Sequence, residues 1–323
     1  MKHILIIHTG GTISMLENKR TGEVTTANKH PLSDLSHQFE QYAHADEITP
    51  FSVPSPQITP QHMLELAGII KEKVNEYDGF VITHGTDTLE ETAYFLDLVS
   101  ETDKPVIITG AMRSANEVGS DALYNLISSL RTATCDDAWY KGVLVVMNDE
   151  IHTARNVTKT STSNVATFQS PQYGPIGIIT KESIIFHHTI VARNTLSVNK
   201  ITHNVFLLKA YAGMDGDILD AVLEMKPDGL VLEGLGQGNL PKQTLPSLKR
   251  LLDNNIPVIL VSRCYQGTVQ PTYGYDGGGK QLKEMGVIFA DGLTGPKARL
   301  KLLITLETTT GADQLKEMFE KIY

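Results

Sequence analysis

Directly behind the apolar run Ile4–Ile7 and His8 stands Thr9-Gly10-Gly11-Thr12-Ile13. A glycine pair there lets the backbone turn sharply and bares N–H groups toward a ligand. A threonine hydroxyl held in that turn could attack a carbonyl while the N–H groups stabilise the oxyanion. The same residues also suit a turn whose threonines bond their own backbone. The spacing is not G-x-G-x-x-G, which disfavours a dinucleotide loop.

Three further segments carry chemistry. His84-Gly85-Thr86-Asp87-Thr88-Leu89-Glu90-Glu91 follows a second apolar run. Thr88-x-x-Glu91 predicts a capping box opening a helix at Leu89, which leaves Thr86 and Asp87 unexplained. A helix start beside a strand end favours an anionic ligand group, and Asp87 could bind an ammonium instead. His84 is either a general base or a turn histidine with its bonds satisfied. In Asn156–Thr162, four hydroxyls surround Lys159. A lysine of depressed pKa beside a threonine hydroxyl is a workable general base, and a solvated lysine in a polar loop is the alternative. In Gly110-Ala111-Met112-Arg113, the arginine either clamps a carboxylate or makes a structural ion pair. The 11 histidines are scattered, with His187-His188 adjacent, and no cluster has metal-ligand spacing. There is no P-loop and no nucleophile elbow, so neither a metal nor a cofactor is expected.

These segments need elements to hold them. Ile4–Ile7, Phe80–Ile82, Val106–Ile108 and Val143–Val146 read as strands apolar on both faces. Gln61–Val74, Leu89–Val99 and Asp121–Arg131 read as the helices between them. That alternation predicts a parallel sheet covered by helices, with a ligand site at its carboxyl ends. The four polar ends would be Thr9–Thr12, Thr83–Asp87, Thr109–Arg113 and Met147–Asp149. A second block follows, with strands at Val205–Leu208, Gly229–Leu232 and Val258–Val261. Its helices would be Ile218–Met225, Gln243–Asp253, Leu293–Thr305 and Asp313–Ile322. The expected domains are 1–188 and 205–323, joined by a linker over 189–204. Gly274–Gly279, four glycines in six residues, reads as a mobile or tightly turned loop.

Bulk properties limit the function. The 323 residues are 41% hydrophobic and 20% charged, enough to bury a core. A net charge of −9 without a basic run argues against a nucleic-acid partner. No stretch approaches the ~18–20 apolar residues that span a bilayer, so no membrane is expected. The apolar run after Met-Lys-His is too short for a signal peptide. Cys135 and Cys264, the two cysteines, form no framework and read as small buried hydrophobes. A reducing, cytoplasmic setting is the expectation.

Taken together, the four segments resemble the bacterial L-asparaginase family, intracellular type, over Lys2–Tyr323 and most densely before residue 180. Thr9–Ile13 and His84–Thr88 look like its two signatures. Gly110–Arg113 and Val157-Thr158-Lys159-Thr160 match two further segments. The resemblance implies a large N-terminal flavodoxin-like α/β domain and a smaller C-terminal α/β domain. It implies hydrolysis of L-asparagine to aspartate and ammonia through an acyl intermediate on Thr12. Thr86, Asp87 and Lys159 would be the supporting triad, and Asp87 would also hold the α-amino group. Ser55 falls where the family binds the α-carboxylate, and Gly11 and Ala111 would also line the substrate. A homodimer or a homotetramer built from two dimers is implied, with the active sites between subunits.

The chain departs from the family pattern in places. A lid tyrosine is absent between Thr12 and Gln41, where Lys19–Thr26 offers Glu23 and Thr25 instead. Pro56 and Gly213 stand where secreted members carry glutamine and asparagine. Weak glutaminase activity stays open. Two other functions share the signatures. One is the amidotransferase subunit that makes Gln-tRNA, against which an acidic chain beginning at its first strand argues. The other is a non-catalytic asparagine sensor.

Overall fold

The computed structural model describes residues 1–26, 31–32, 38–190, 193–290, 292–309 and 311–320. Contacts divide the chain into two units, Met1–Thr195 and Leu196–Tyr323.

The first unit begins with β1 (His3–His8), then a hairpin of β2 (Met15–Glu17) and β3 (Val24–Thr26). β4 (His44–Ile48), α1 (Pro60–Lys73), β5 (Gly79–Thr83) and α2 (Leu89–Val99) follow. Next come β6 (Val106–Thr109), α3 (Ala122–Thr134), β7 (Val143–Met147) and β8 (Glu150–Thr153). A short ribbon of β9 (Thr158–Lys159) and β10 (Phe168–Gln169) precedes β11 (Gly177–Ile179) and β12 (Ile184–Phe186).

The main sheet runs β12-β11-β8-β7-β6-β5-β1-β4. Its five strands β4-β1-β5-β6-β7 are parallel; the apolar runs predict four of them, and β4 is an addition. Numbered among themselves, these five take the order 2-1-3-4-5, the doubly wound order of flavodoxin-like folds. β8, β11 and β12 extend the sheet antiparallel, which the apolar pattern did not signal. Residues of β5, β6 and β7 are buried throughout because both faces are covered. Ile4, Ile6, Val81, Ile107 and Leu144 pack with Leu126 and Leu130 of α3 in one cluster. Alternate side chains point to the opposite face, where α2 packs against β6 and β7.

In the 2-1-3-4-5 order the chain winds in opposite directions on either side of the β1/β5 boundary. Loops leaving those two strands therefore diverge, and a crevice opens at their carboxyl ends. Thr12 lies four residues beyond the end of β1, and Thr86 three beyond the end of β5.

The second unit is a four-stranded parallel sheet of β13 (Val205–Lys209), β14 (Gly229–Gly234), β15 (Val258–Ser262) and β16 (Ile288–Phe289). Its helices are α4 (Asp217–Glu224), α5 (Leu245–Asp253), α6 (Gly279–Glu284), α7 (Gly295–Thr308) and α8 (Ala312–Glu320). The helix expected over Asp313–Ile322 thus starts one residue earlier, and its last two residues lie outside the described residues. α6 and β16 have no counterpart in the sequence pattern. The Gly274–Gly279 stretch is tightly turned: a Cβ on Gly277 would sit 2.1 Å from the Leu240 carbonyl oxygen. Both cysteines are free, but Cys264 is exposed, not buried as expected, and Cys135 is half-buried. No described helix is long and apolar enough to cross a membrane.

Candidate active site

Three loops meet at the carboxyl ends of β4, β1 and β5, and they meet backbone to backbone. Thr9 bonds the Thr83 carbonyl through its N–H (3.1 Å) and its hydroxyl (2.9 Å), while Val53 N–H donates to the Thr9 carbonyl at 3.0 Å. Gly10 and Gly11 then turn at φ 104° and 82°. A Cβ on Gly11 would lie 2.2 Å from Gly85 Cα, and one on Gly85 would lie 2.6 Å from both Cβ and Oγ of Ser55. Side chains there would force the loops apart. Glycine at both positions is what brings Thr12, Thr86 and Ser55 to one place.

Thr12 opens a single 3-10 turn, Thr12–Ser14, anchored by the fully buried Ile13. Thr12 is half-buried, and its hydroxyl makes no hydrogen bond among the described residues. Ser55 is buried and its Oγ accepts the Asp87 N–H at 3.2 Å. The serine hydroxyl proton thereby remains available to a ligand. Thr88 does not form the expected capping box: its hydroxyl donates to the Ser55 carbonyl at 2.8 Å, and α2 has no side-chain cap bond. Tying the Ser55 loop to the start of α2 outcompetes the local cap.

Lys159 reaches the site from the β9–β10 ribbon. Its Nζ donates to Thr86 Oγ1 at 2.9 Å and to Asp87 Oδ1 at 2.7 Å. The lysine side chain is 16% exposed, while the Asp87 side chain is 59% exposed. The carboxylate therefore keeps one oxygen toward solvent and a ligand. Two nearby hydroxyls serve the loop: Thr160 donates to the Thr167 carbonyl at 2.8 Å, and the Thr167 hydroxyl donates to the Ser161 carbonyl at 2.6 Å. Phe168, the cross-strand partner of Lys159, is buried.

His84 is not a general base. Burial drives its pKa down to about 4, against a smaller opposing pull from the Gly85 carbonyl. Facing that carbonyl at 2.8 Å, Nδ1 must carry the proton, and Nε2 then accepts the Thr92 hydroxyl at 2.9 Å. Both nitrogens are used.

Ala111 is fully buried behind β6, and its neighbour Gly110 packs against the second loop: a Cβ there would be 2.6 Å from the His84 carbonyl oxygen. Arg113 makes no ion pair among the described residues. Its guanidinium donates to the Gly119 carbonyl at 2.9 Å, while Asp121 accepts the backbone N–H groups of Met112 and Arg113. At the end of β7, Asn148 and Asp149 (φ 51° and 65°) form a two-residue hairpin turn into β8. That strand end is thus a different structure from the other three. Glu23 and Thr25 sit in the β2–β3 hairpin, both exposed; Thr25 pairs with Leu16. Neither side chain makes a hydrogen bond or ion pair among the described residues. His187 bonds the Pro175 carbonyl at 3.0 Å and stacks edge-on with His188. No group of three or more His, Cys, Asp or Glu residues that could hold a metal occurs among the described residues.

Two residues that the sequence pattern did not single out belong to the surroundings. Glu90 holds the backbone of Lys159, accepting its N–H at 3.2 Å. Asn116 clamps the hairpin, its amide taking the Glu17 N–H (2.8 Å) and donating to the Glu17 carbonyl (2.9 Å). An acidic residue in the first turn of α2 was the only hint of the first; nothing local hinted at the second.

Comparison with known proteins matches this arrangement. Residues 3–192 match the "Asparaginase, N-terminal" family and residues 204–319 the "Glutaminase/Asparaginase C-terminal domain". A probable L-asparaginase of Deinococcus radiodurans is 38% identical, over 99% of this chain and 97% of that one. A component of the glutamyl-tRNA(Gln) amidotransferase of Methanobrevibacter smithii is 33% identical, over 99% of this chain and 76% of that one. The crystal structure of a probable cytoplasmic L-asparaginase from Campylobacter jejuni superposes with a TM-score of 0.88 at 32% identity, covering 99% of both chains. With both of its halves matched in order, and with its signature loops in contact through their glycines, this chain belongs to the asparaginase family.

Proposed function

We propose that the protein hydrolyses L-asparagine to L-aspartate and ammonia through a threonine ester. The observation that carries this is Lys159 Nζ, which bridges Thr86 Oγ1 and Asp87 Oδ1 beside the loop that presents Thr12. Thr12 Oγ attacks the side-chain amide carbon, and the N–H groups of that turn face the developing oxyanion. The C–N bond breaks, and the amide nitrogen leaves as ammonia carrying the proton of Thr12. Water then attacks the ester carbon. One of its protons restores the Thr12 hydroxyl, and its oxygen remains in the aspartate side chain. Lys159 donates to Thr86 Oγ1, so the proton of Thr86 points away from the lysine, toward the reacting groups. Asp87, with one oxygen open, takes the α-ammonium, and the Ser55 hydroxyl takes the α-carboxylate at the start of α2. Gly11 and Ala111 complete the wall, and the hairpin with Glu23 and Thr25 forms the lid. No cofactor takes part.

A homodimer or homotetramer acting in the cytoplasm fits this reading, as the Campylobacter relative is described as cytoplasmic. Light scattering after size exclusion measures the assembly. The amidotransferase relative supports a second reading, in which ammonia is made for a tRNA-bound substrate. Ammonia release from free asparagine, in the absence of tRNA, decides between them. It also removes a sensor that binds without turnover. Thr12→Ala is expected to abolish release with the fold intact; activity within tenfold of the wild type would refute Thr12 as nucleophile.

A further inference from the structure

Lys159 stands on a strand of two residues, in a ribbon that is not part of the main sheet. Such a ribbon has little of its own to fix a lysine to within the tolerance that proton transfer requires. A single carboxylate supplies the constraint. Glu90 Oε1 accepts the Thr158 hydroxyl at 3.0 Å and the Lys159 backbone N–H at 3.2 Å. Glu90 lies in the first turn of α2, only three residues beyond Asp87. Lys159 is therefore held at both ends by one short stretch of chain: its Nζ by Thr86 and Asp87, its backbone by Glu90.

We infer that Glu90 is a positioning residue for the reaction, fixing Lys159 against Thr86 by anchoring the Thr158–Lys159 backbone to α2. The inference rests on Lys159 acting in catalysis. Half-buried in the first turn of α2, the carboxylate accepts both bonds through one oxygen. The role requires an acceptor oxygen, not a charge. That separates anchoring from an electrostatic effect of Glu90 on Lys159.

The test compares ammonia release from asparagine by the wild type, Glu90→Gln, Glu90→Ala, Thr158→Val and Lys159→Met. Glu90→Gln keeps an acceptor oxygen, and its kcat is expected within about threefold of wild type with an overlapping pH profile. Glu90→Ala is expected to lose on the order of 10²-fold in kcat, the scale of an ångström-sized misplacement. Its KM should move less than about threefold, since Glu90 does not touch substrate, and its kcat–pH profile should shift. Thr158→Val, which removes one of the two bonds, should fall in between and serves if Glu90→Ala does not fold. Wild-type kcat in Glu90→Ala or, failing that variant, in Thr158→Val overturns the anchoring role. So does a Glu90→Gln as impaired as Glu90→Ala, because charge would then be the operative property. Lys159→Met with wild-type turnover overturns the catalytic reading of Lys159 itself; Lys159→Met crippled beside an active Glu90→Ala overturns only the anchor.

Discussion

Replacing Gly11 by alanine should damage stability and turnover together. Two costs add. At φ 82° and ψ −179°, Gly11 lies in a region that is essentially restricted to glycine, costing a side chain about 1–3 kcal/mol. The new methyl would also lie 2.2 Å from Gly85 Cα and 2.4 Å from Gly85 N. Both are backbone atoms, so no rotamer change relieves the overlap, and forced repacking adds roughly 1–3 kcal/mol. A total of ~3–4 kcal/mol is a sober expectation. In a unit of 195 residues each kcal/mol shifts Tm by roughly 2–4 °C, so a fall of about 6–16 °C follows. Any separation of the two loops also moves Thr12 away from Thr86, and kcat should drop at least ~100-fold even well below the new Tm. Differential scanning calorimetry and an ammonia-release assay on one preparation measure both. A Gly11→Ala protein melting within 1–2 °C of wild type and turning over within tenfold would refute the view that this glycine contact sets the geometry.

Other substitutions follow from the same structure. Gly68, exposed in α1 with open space around its Cα, offers the opposite outcome: Gly68→Ala should stabilise by about 0.5–1 kcal/mol in urea unfolding, with activity unchanged. His84, whose folded pKa is about 4 against 6.5 for the free group, binds fewer protons when folded. Its contribution is therefore complete above pH ~6.5 and is lost as pH falls toward 4. Between pH 7 and pH 5 the wild type should lose ~2 kcal/mol more stability than His84→Gln, and equal losses would mean that His84 titrates normally. Asn116→Ala removes both bonds to Glu17, worth ~1–3 kcal/mol together, and should lower kcat/KM for asparagine several-fold and Tm by roughly 2–12 °C. An unchanged kcat/KM would detach the hairpin from catalysis.

Much of the site was legible because strand ends in doubly wound sheets are where polar, glycine-rich segments have reason to follow apolar runs. Thr12, Thr86 and Asp87 sit at such ends; strand order makes β1 and β5 neighbours, and Gly11 and Gly85 let the two loops close on each other. Lys159 was legible as a residue type but not as a placement. Its ribbon has no apolar run, and its partners lie 72 and 73 residues away. β4 escaped notice for a related reason. His44-Ala45-Asp46-Glu47-Ile48 is polar, an edge strand pairing only with β1, so burial leaves little mark on its composition. The antiparallel strands β8, β11 and β12 are short, and β12 is only half-buried, below what periodicity can reveal. Thr88 misled because a capping box is a local pattern, and a tertiary acceptor, the Ser55 carbonyl, took its hydroxyl. The structural role of His84 depended on burial, which a single sequence does not display.

The contact between Gly11 and Gly85 has a consequence for how such a site can change. A spacing set by two peptide backbones does not depend on any side chain's rotamer or volume. Thr12 and Thr86, the proposed nucleophile and its assistant, are thus insulated from substitutions in the wall around them. The β2–β3 hairpin, with its exposed Glu23 and Thr25, can be exchanged without disturbing the distance over which the proton moves. The architecture separates a fixed reaction frame from a replaceable selectivity surface. New substrate preferences are therefore best sought among the side chains of that surface, with both glycines kept.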